Sequence, residues 1–319
     1  MKRKVNRVGQ NTLTVSLPAD WVRKQGIKVG DVLNLEEEGR GLCILKEEGR
    51  NKVLKAVLNI DDFNRMMLNR YVHEFYRQGV EEIVLNFKRP KFPDYKNGVD
   101  IDVGKYVNKL VERFIGMEII SQTQNKIILQ SLISREECEK IGIVQKRIYF
   151  LIKEFFDEFI NAMGADFNKF HALSYDYHDN IAKFTLYYLR LLHFSDIPDE
   201  KKARLFGLFM VIDKMIDKVR HTGEMVVGMK KVTPKVCTYV KKIFDLFLEQ
   251  FDLIHKPNYA IAENEGLIKR RYQLVKKVNS EKFNPEEALV IAECKILMDT
   301  IADFCETSVA LNIDKYVSD

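Results

Sequence analysis

From Ser134 onward the chain reads as a succession of helical periods broken only at Gly164, Ser195-Asp196-Ile197-Pro198, Lys231-Val232-Thr233-Pro234, His255-Lys256-Pro257 and Asn284-Pro285. Gly ends helices in the left-handed conformation and Pro opens them, so these residues act as punctuation. The spacing predicts helices at about 135–163, 167–194, 198–228, 233–255, 260–279 and 284–314. Such a segment can bury its apolar stripes only by packing helix on helix. Six helices in this order divide into two sets of three, which predicts tandem all-α bundles over 135–230 and 231–319.

The first 35 residues differ in kind. They hold Lys2, Arg3, Lys4, Arg7, Arg23, Lys24 and Lys28 against Asp20 and Asp31, seven charges against two, or +5. The whole chain has 51 basic and 46 acidic residues, so the remainder is neutral at 44 against 44. Charge concentrated on one small module attracts a polyanion, whereas the same charge spread thinly would say little. Within it, Thr12, Thr14 and Ser16 alternate with Leu13, Val15 and Leu17, the period of a half-buried strand. Lys2 to Val8 forms the preceding strand across the turn Gly9-Gln10-Asn11. Pro18 opens a short helix that Gly26 ends, and Val32 to Glu37 and Leu42 to Lys46 make a second hairpin. Trp21 is expected as an anchor of this module. A unit of under 50 residues buries too little apolar surface to stand alone, so a partner copy is expected.

Between head and helices, residues 49–134 read as a small α/β connector. Val53 to Ile60 and Glu82 to Phe87 are strands, Asp61-Asp62 caps a helix running through Phe75, and Val103 to Phe114 is an amphipathic helix. Met117 to Gln122 and Lys126 to Leu132 form a hairpin about Thr123-Gln124-Asn125, while 89–94 reads as loop. No Gly-rich phosphate loop, G-x-S-x-G or Ser/His/Asp arrangement occurs here, so catalysis is not expected. The five cysteines are odd in number and lack a CxxC pair, which favours reduced thiols in a cytosol; Cys294 and Cys305 read as core packing. The polar, basic N-terminus does not read as a secretory leader, and no run of about 18 uncharged apolar residues suggests a membrane span. A cytoplasmic location is the expectation.

The wording VNRVGQNTLTVSLPADWVRKQGIKVGDVLNL resembles the AbrB/SpoVT-type DNA-binding domain over residues 3–46, notably in Ser16-Leu17-Pro18 and in the Gly-Ile-Lys-Val-Gly-Asp turn of 26–31. The resemblance implies a swapped-hairpin β-barrel made by two chains, with Arg3, Lys4, Arg7, Arg23 and Lys24 placed on DNA phosphates. A second resemblance rests on an internal repeat. Residues 205–225 and 291–311 each carry an apolar approach followed by Asp-x-x-x-Asp, as Asp213/Asp217 and Asp299/Asp303, 86 residues apart. This pairing is similar to the PhoU family of two related three-helix bundles. A head of the first type on a body of the second resembles archaeal phosphate uptake regulators. That implies a homodimeric, non-enzymatic transcription regulator, with a phosphate transporter's ATPase or a signalling protein as further partner.

Two carboxylates at i and i+4 face the same way and repel. Buried between helices they need a proton or a cation. In the PhoU family such motifs hold metal ions, so Asp213, Asp217, Asp176, Asp299 and Asp303 are candidate ligands for a divalent metal or iron. The pattern departs where Leu267, Lys269, Arg270 and Arg271 occupy the second set, since those cations could neutralise Asp299 and Asp303 directly. Two other readings stay open: an adaptor acting by protein contact, and a metal-binding bundle. No Glu-x-x-His pair on a predicted helix supports a di-iron enzyme.

Overall fold

The computed structural model describes residues 2–38, 41–46, 53–229, 232–254, 256, 261–315 and 317. The chain separates into two compact units, Met1–Leu54 and Lys55–Asp319. The first holds two hairpins and a short helix. β1 (Val5–Val8) pairs with β2 (Thr12–Val15), α1 spans Ala19–Gln25, and β3 (Leu33–Glu38) pairs with β4 (Gly41–Lys46). These are two separate two-stranded sheets, so among the described residues one chain forms no closed barrel.

The second unit begins with a four-stranded sheet ordered β5 (Lys55–Asn59), β6 (Glu82–Asn86), β10 (Lys126–Ser131), β9 (Met117–Gln122). β5 and β6 are parallel, which requires a crossover, and α2 (Arg65–Arg77) supplies it. Leu68, Val72 and Tyr76 recur every fourth residue and are fully buried; Val103, Val107, Leu110 and Val111 form the buried stripe of α3 (Val103–Val111). Both stripes join Ile83, Leu85, Ile127 and Leu129 of the sheet in one core. The cap of α2 differs from expectation. Asn64 accepts from the Met67 amide at 2.9 Å, while Asp61 accepts from the amides of Lys88 and Arg89, which holds its carboxyl below the usual range. The segment read as loop contains β7 (Lys91–Asp94), paired with β8 (Val99–Asp102) across Asn97-Gly98. A two-stranded ribbon tolerates Pro93 because no central ladder needs its missing N–H.

Gly116 precedes β9 at φ +72, and a Cβ there would lie 1.9 Å from Ile133 Cγ1. Gly116→Ala should therefore cost about 2–3 kcal/mol, from the left-handed backbone and the clash together. Urea denaturation checks this, and an unchanged midpoint would show that Ile133 moves aside freely.

Six long helices complete the unit: α4 (Ile141–Met163), α5 (Phe167–Phe194), α6 (Asp199–Gly228), α7 (Pro234–Ile254), α8 (Ile261–Ser280) and α9 (Pro285–Leu311). A 3-10 turn at Arg135–Lys140 replaces the expected first turns of α4. Asn284 and Glu287 close a reciprocal capping box at the start of α9. The two sets of three pack against each other. One apolar cluster includes residues from all six helices, with α4 packed on α7 and α6 on α9, so equivalent members of the sets face each other. Phe156 of α4 stacks on Phe244 of α7 at 4.0 Å, and Phe247 meets Phe304 of α9 at 5.3 Å. Cys294 lies inside this core, and burial pushes its thiol up to about 12. Alkylation of the native protein followed by mass spectrometry should leave Cys294 unmodified until denaturant is added. Labelling at the rate of the part-exposed Cys43 would contradict that.

The connector and the helices are welded through α5. Residues 185–192 are all buried, although a surface helix exposes one side. Its second face enters the connector: Leu186 joins the sheet's core, and one turn later Arg190 is 1% exposed. Arg190 Nη1 donates to the carbonyls of Tyr76 at 2.8 Å and Val80 at 3.1 Å, and Nη2 donates to Ser131 Oγ at 3.0 Å. Those carbonyls lie at and just past the C-terminal end of α2, where the helix dipole places partial negative charge. The guanidinium also sits over the Tyr76 ring at 4.9 Å. Arg113–Asp179 at 2.8 Å adds a second tie between connector and α5.

Candidate nucleic-acid interface

In the N-terminal unit the β1–β2 register puts Val5 opposite Val15 and Arg7 opposite Leu13. Opposed residues share a face, so Val5, Arg7, Leu13 and Val15 stand together on one side of the hairpin. Gly9 makes the tight turn at φ +73, and Gly26 caps α1 at φ +60. Arg3 and Lys4 lead into β1, Arg23 and Lys24 lie in the last turn of α1, and all five candidate cations are exposed. Among the described residues Arg3, Lys4, Arg7 and Lys24 have no ion pair. Arg23 bonds Asp20 at 2.5 Å, but both side chains are at least 80% exposed, so the pair is screened by water and weak. Asp31 turns inward on its own loop, accepting from the Lys28 amide at 2.9 Å.

The apolar side of this unit is uncovered. No described residue among the first 46 is buried, Trp21 included, and Val5, Leu13 and Leu35 are 60–65% exposed. Trp21 is half-buried in one chain. Two isolated hairpins are marginal in water without a face to pack against.

The carboxylates singled out by spacing are dispersed. Asp213 is half-buried on α6, and burial raises its carboxyl above the usual range. Asp217, one turn on, lies 2.9 Å from Arg220 Nη2 and 3.5 Å from His178 Nε2. Asp176 is exposed on α5; Asp303 is exposed on α9; Asp299 is 79% exposed and paired with Arg271 Nη2 at 3.0 Å. Among the described residues no group of three His, Cys, Asp or Glu side chains is placed to hold a metal ion. Arginines satisfy Asp217 and Asp299, as Arg271 in the sequence foreshadowed for the second. Spacing could put each pair on one helix face, but not say what lies opposite. No described helix is long and apolar enough to cross a membrane.

Residues 7–52 match the family model for antidote-toxin recognition MazE, a bacterial antitoxin. The N-terminal segment is thus similar to MazE/AbrB-type antitoxin and DNA-binding domains, and a large helical body follows it. Searches of curated proteins and of solved structures find no match to the chain.

Proposed function

We propose that this protein is a DNA-binding regulator that works as a homodimer through its N-terminal module. The observation that carries the reading is the combination of unpaired, exposed Arg3, Lys4 and Lys24 with an apolar face that no described residue of the same unit covers. A second copy supplying its own hairpins would bury Val5, Leu13 and Val15. It would also double the cations along one surface, which suits the repeating charge of a duplex. Contacts of this kind position a protein on phosphates and leave sequence choice to few base contacts.

Phosphate homeostasis is the finer reading. Its support is the Asp-x-x-x-Asp repeat of Asp213/Asp217 and Asp299/Asp303 on a helical body behind this head. A cytoplasmic location and a transporter ATPase or signalling protein as partner belong to the same reading. A non-catalytic role fits the lack of a catalytic motif in the sequence. Metal storage draws least support, because arginines already occupy two of the five carboxylates.

The adaptor reading differs in one measurement. Light scattering at several concentrations together with anisotropy of a labelled duplex separates the two. A dimer that retains DNA in a salt-dependent way supports the regulator; a dimer indifferent to DNA at low salt supports the adaptor. A monomeric head would overturn both.

A further inference from the structure

A cleft of about 340 Å3 opens where the C-terminal end of α2 meets α5 and the first turns of α6. Its floor is apolar: Leu189 and Leu192 are 1% and 2% exposed, and Phe206 lines one wall. Its rim is cationic, with Arg77 and Lys202 facing one carboxylate, Glu74. Neither cation is well satisfied. Arg77 Nη1 reaches Glu74 only at 3.4 Å, and its Nε is buried without a partner. Glu74 gives its other oxygen to Gln78 Nε2 at 2.7 Å. Lys202 Nζ finds the His193 carbonyl at 3.5 Å and the almost fully exposed Asp199 at 3.9 Å. The lining itself thus carries two cations and one carboxylate over an apolar floor, with Asp199 at the rim beside Lys202.

We propose that this cleft binds a small organic anion, an apolar body carrying one carboxylate or phosphate group. The apolar part would cover Leu189, Leu192 and Phe206, and the anionic head would accept from Arg77 and Lys202. A cleft of this volume suits a molecule of modest size. The low-dielectric floor strengthens attraction for the head, and a planar guanidinium offers paired donors to a carboxylate or phosphate. Burial and the neighbouring cations hold His193 below its ordinary value, so it meets the ligand as a neutral imidazole. Because α2 belongs to the connector and α5 and α6 to the helices, an occupant clamps the two together. This site does not depend on the DNA-binding reading.

Calorimetric titration of the full chain with octanoate and with phenyl phosphate tests the proposal, with octanol and inorganic phosphate as the tail-only and head-only controls. Saturable binding of either organic anion at one site per chain is expected, with both controls weaker. Lys202→Gln should weaken it about tenfold by removing a charge-assisted contact. Ala203→Phe, which fills the cleft without altering charge, should abolish it, with circular dichroism verifying the fold of each variant. Lack of saturable binding by both organic anions, or equal affinity in Ala203→Phe, overturns the proposal. Inorganic phosphate binding as tightly as phenyl phosphate also overturns it, since the apolar floor would then play no part.

Discussion

Arg190→Ala should lower the stability of the second unit by about 3–5 kcal/mol, with Tm falling by roughly 10 °C. The guanidinium is buried, so water cannot replace what it does. Its removal strips donors from the Tyr76 and Val80 carbonyls and from Ser131 Oγ, and opens a cavity beside the Tyr76 and Phe194 rings. The lost charge-assisted hydrogen bonds and the void both add to the loss. Burial lowers the pKa of Arg190, yet a guanidinium stays charged well above neutral pH, so no pH jump near 7 mimics the mutation. Arg190→Lys should recover little, because one ammonium cannot span donors aimed at three oxygens. Arg190→Met keeps most of the volume and isolates the hydrogen-bonding part, about half the loss. Urea denaturation followed at 222 nm measures each. A loss below about 1 kcal/mol for the alanine variant would mean that the two layers are not held by this residue.

The second large effect concerns the head. Arg3→Gln, Lys4→Gln and Arg7→Gln together should weaken retention of duplex DNA at least about a hundredfold near 0.1 M salt. In a dimer the triple variant removes six cations. If all six lie on phosphates, the slope of log K against log salt falls by about 5. The loss should be similar for unrelated sequences, because phosphate contacts carry no base information. Anisotropy titrations over 50–200 mM salt give both quantities. An unchanged slope would place the contacts elsewhere, with Lys24 the next cation to test, since Arg23 already has Asp20 beside it. Arg7 shares the hairpin face of Val5, Leu13 and Val15, so light scattering should first verify that the triple variant remains a dimer.

The parts of the fold legible in the sequence were those set by local chemistry. α5 and α6 begin and end within a residue of the expected bounds, because Gly164 and Pro198 act on their own neighbours. The β9–β10 hairpin followed from its turn in the same way. What failed depended on distant partners. Asp61 did not cap α2 because its oxygen is taken by amides 27 and 28 residues away. β7 was hidden because Pro90 and Pro93 signal loop, while the Asp94 carboxylate that fixes the turn draws Arg65 from α2 at 3.0 Å. The repeat of Asp213 and Asp299 was visible, but not that α6 and α9 would meet and join the two expected sets through one apolar core. At the candidate interface the cations were readable as charge, and their freedom from ion pairs was not. Arg190 stood in plain view inside Tyr187-Tyr188-Leu189-Arg190-Leu191-Leu192. An arginine in an apolar run signals a buried function; its carbonyl partners leave no trace in composition.

The shared ownership of α5 bears on how the molecule can be dissected. A gene cut near codon 134 follows a boundary that looks natural on paper, yet the shorter fragment would lose Leu186 from its interior and the positive plug over the end of its first long helix. The longer fragment would expose to water the apolar face of α5 that the connector covers, Leu186 included. Neither product should behave as a folded piece, so the smallest tractable version of this body runs from Lys55 without interruption.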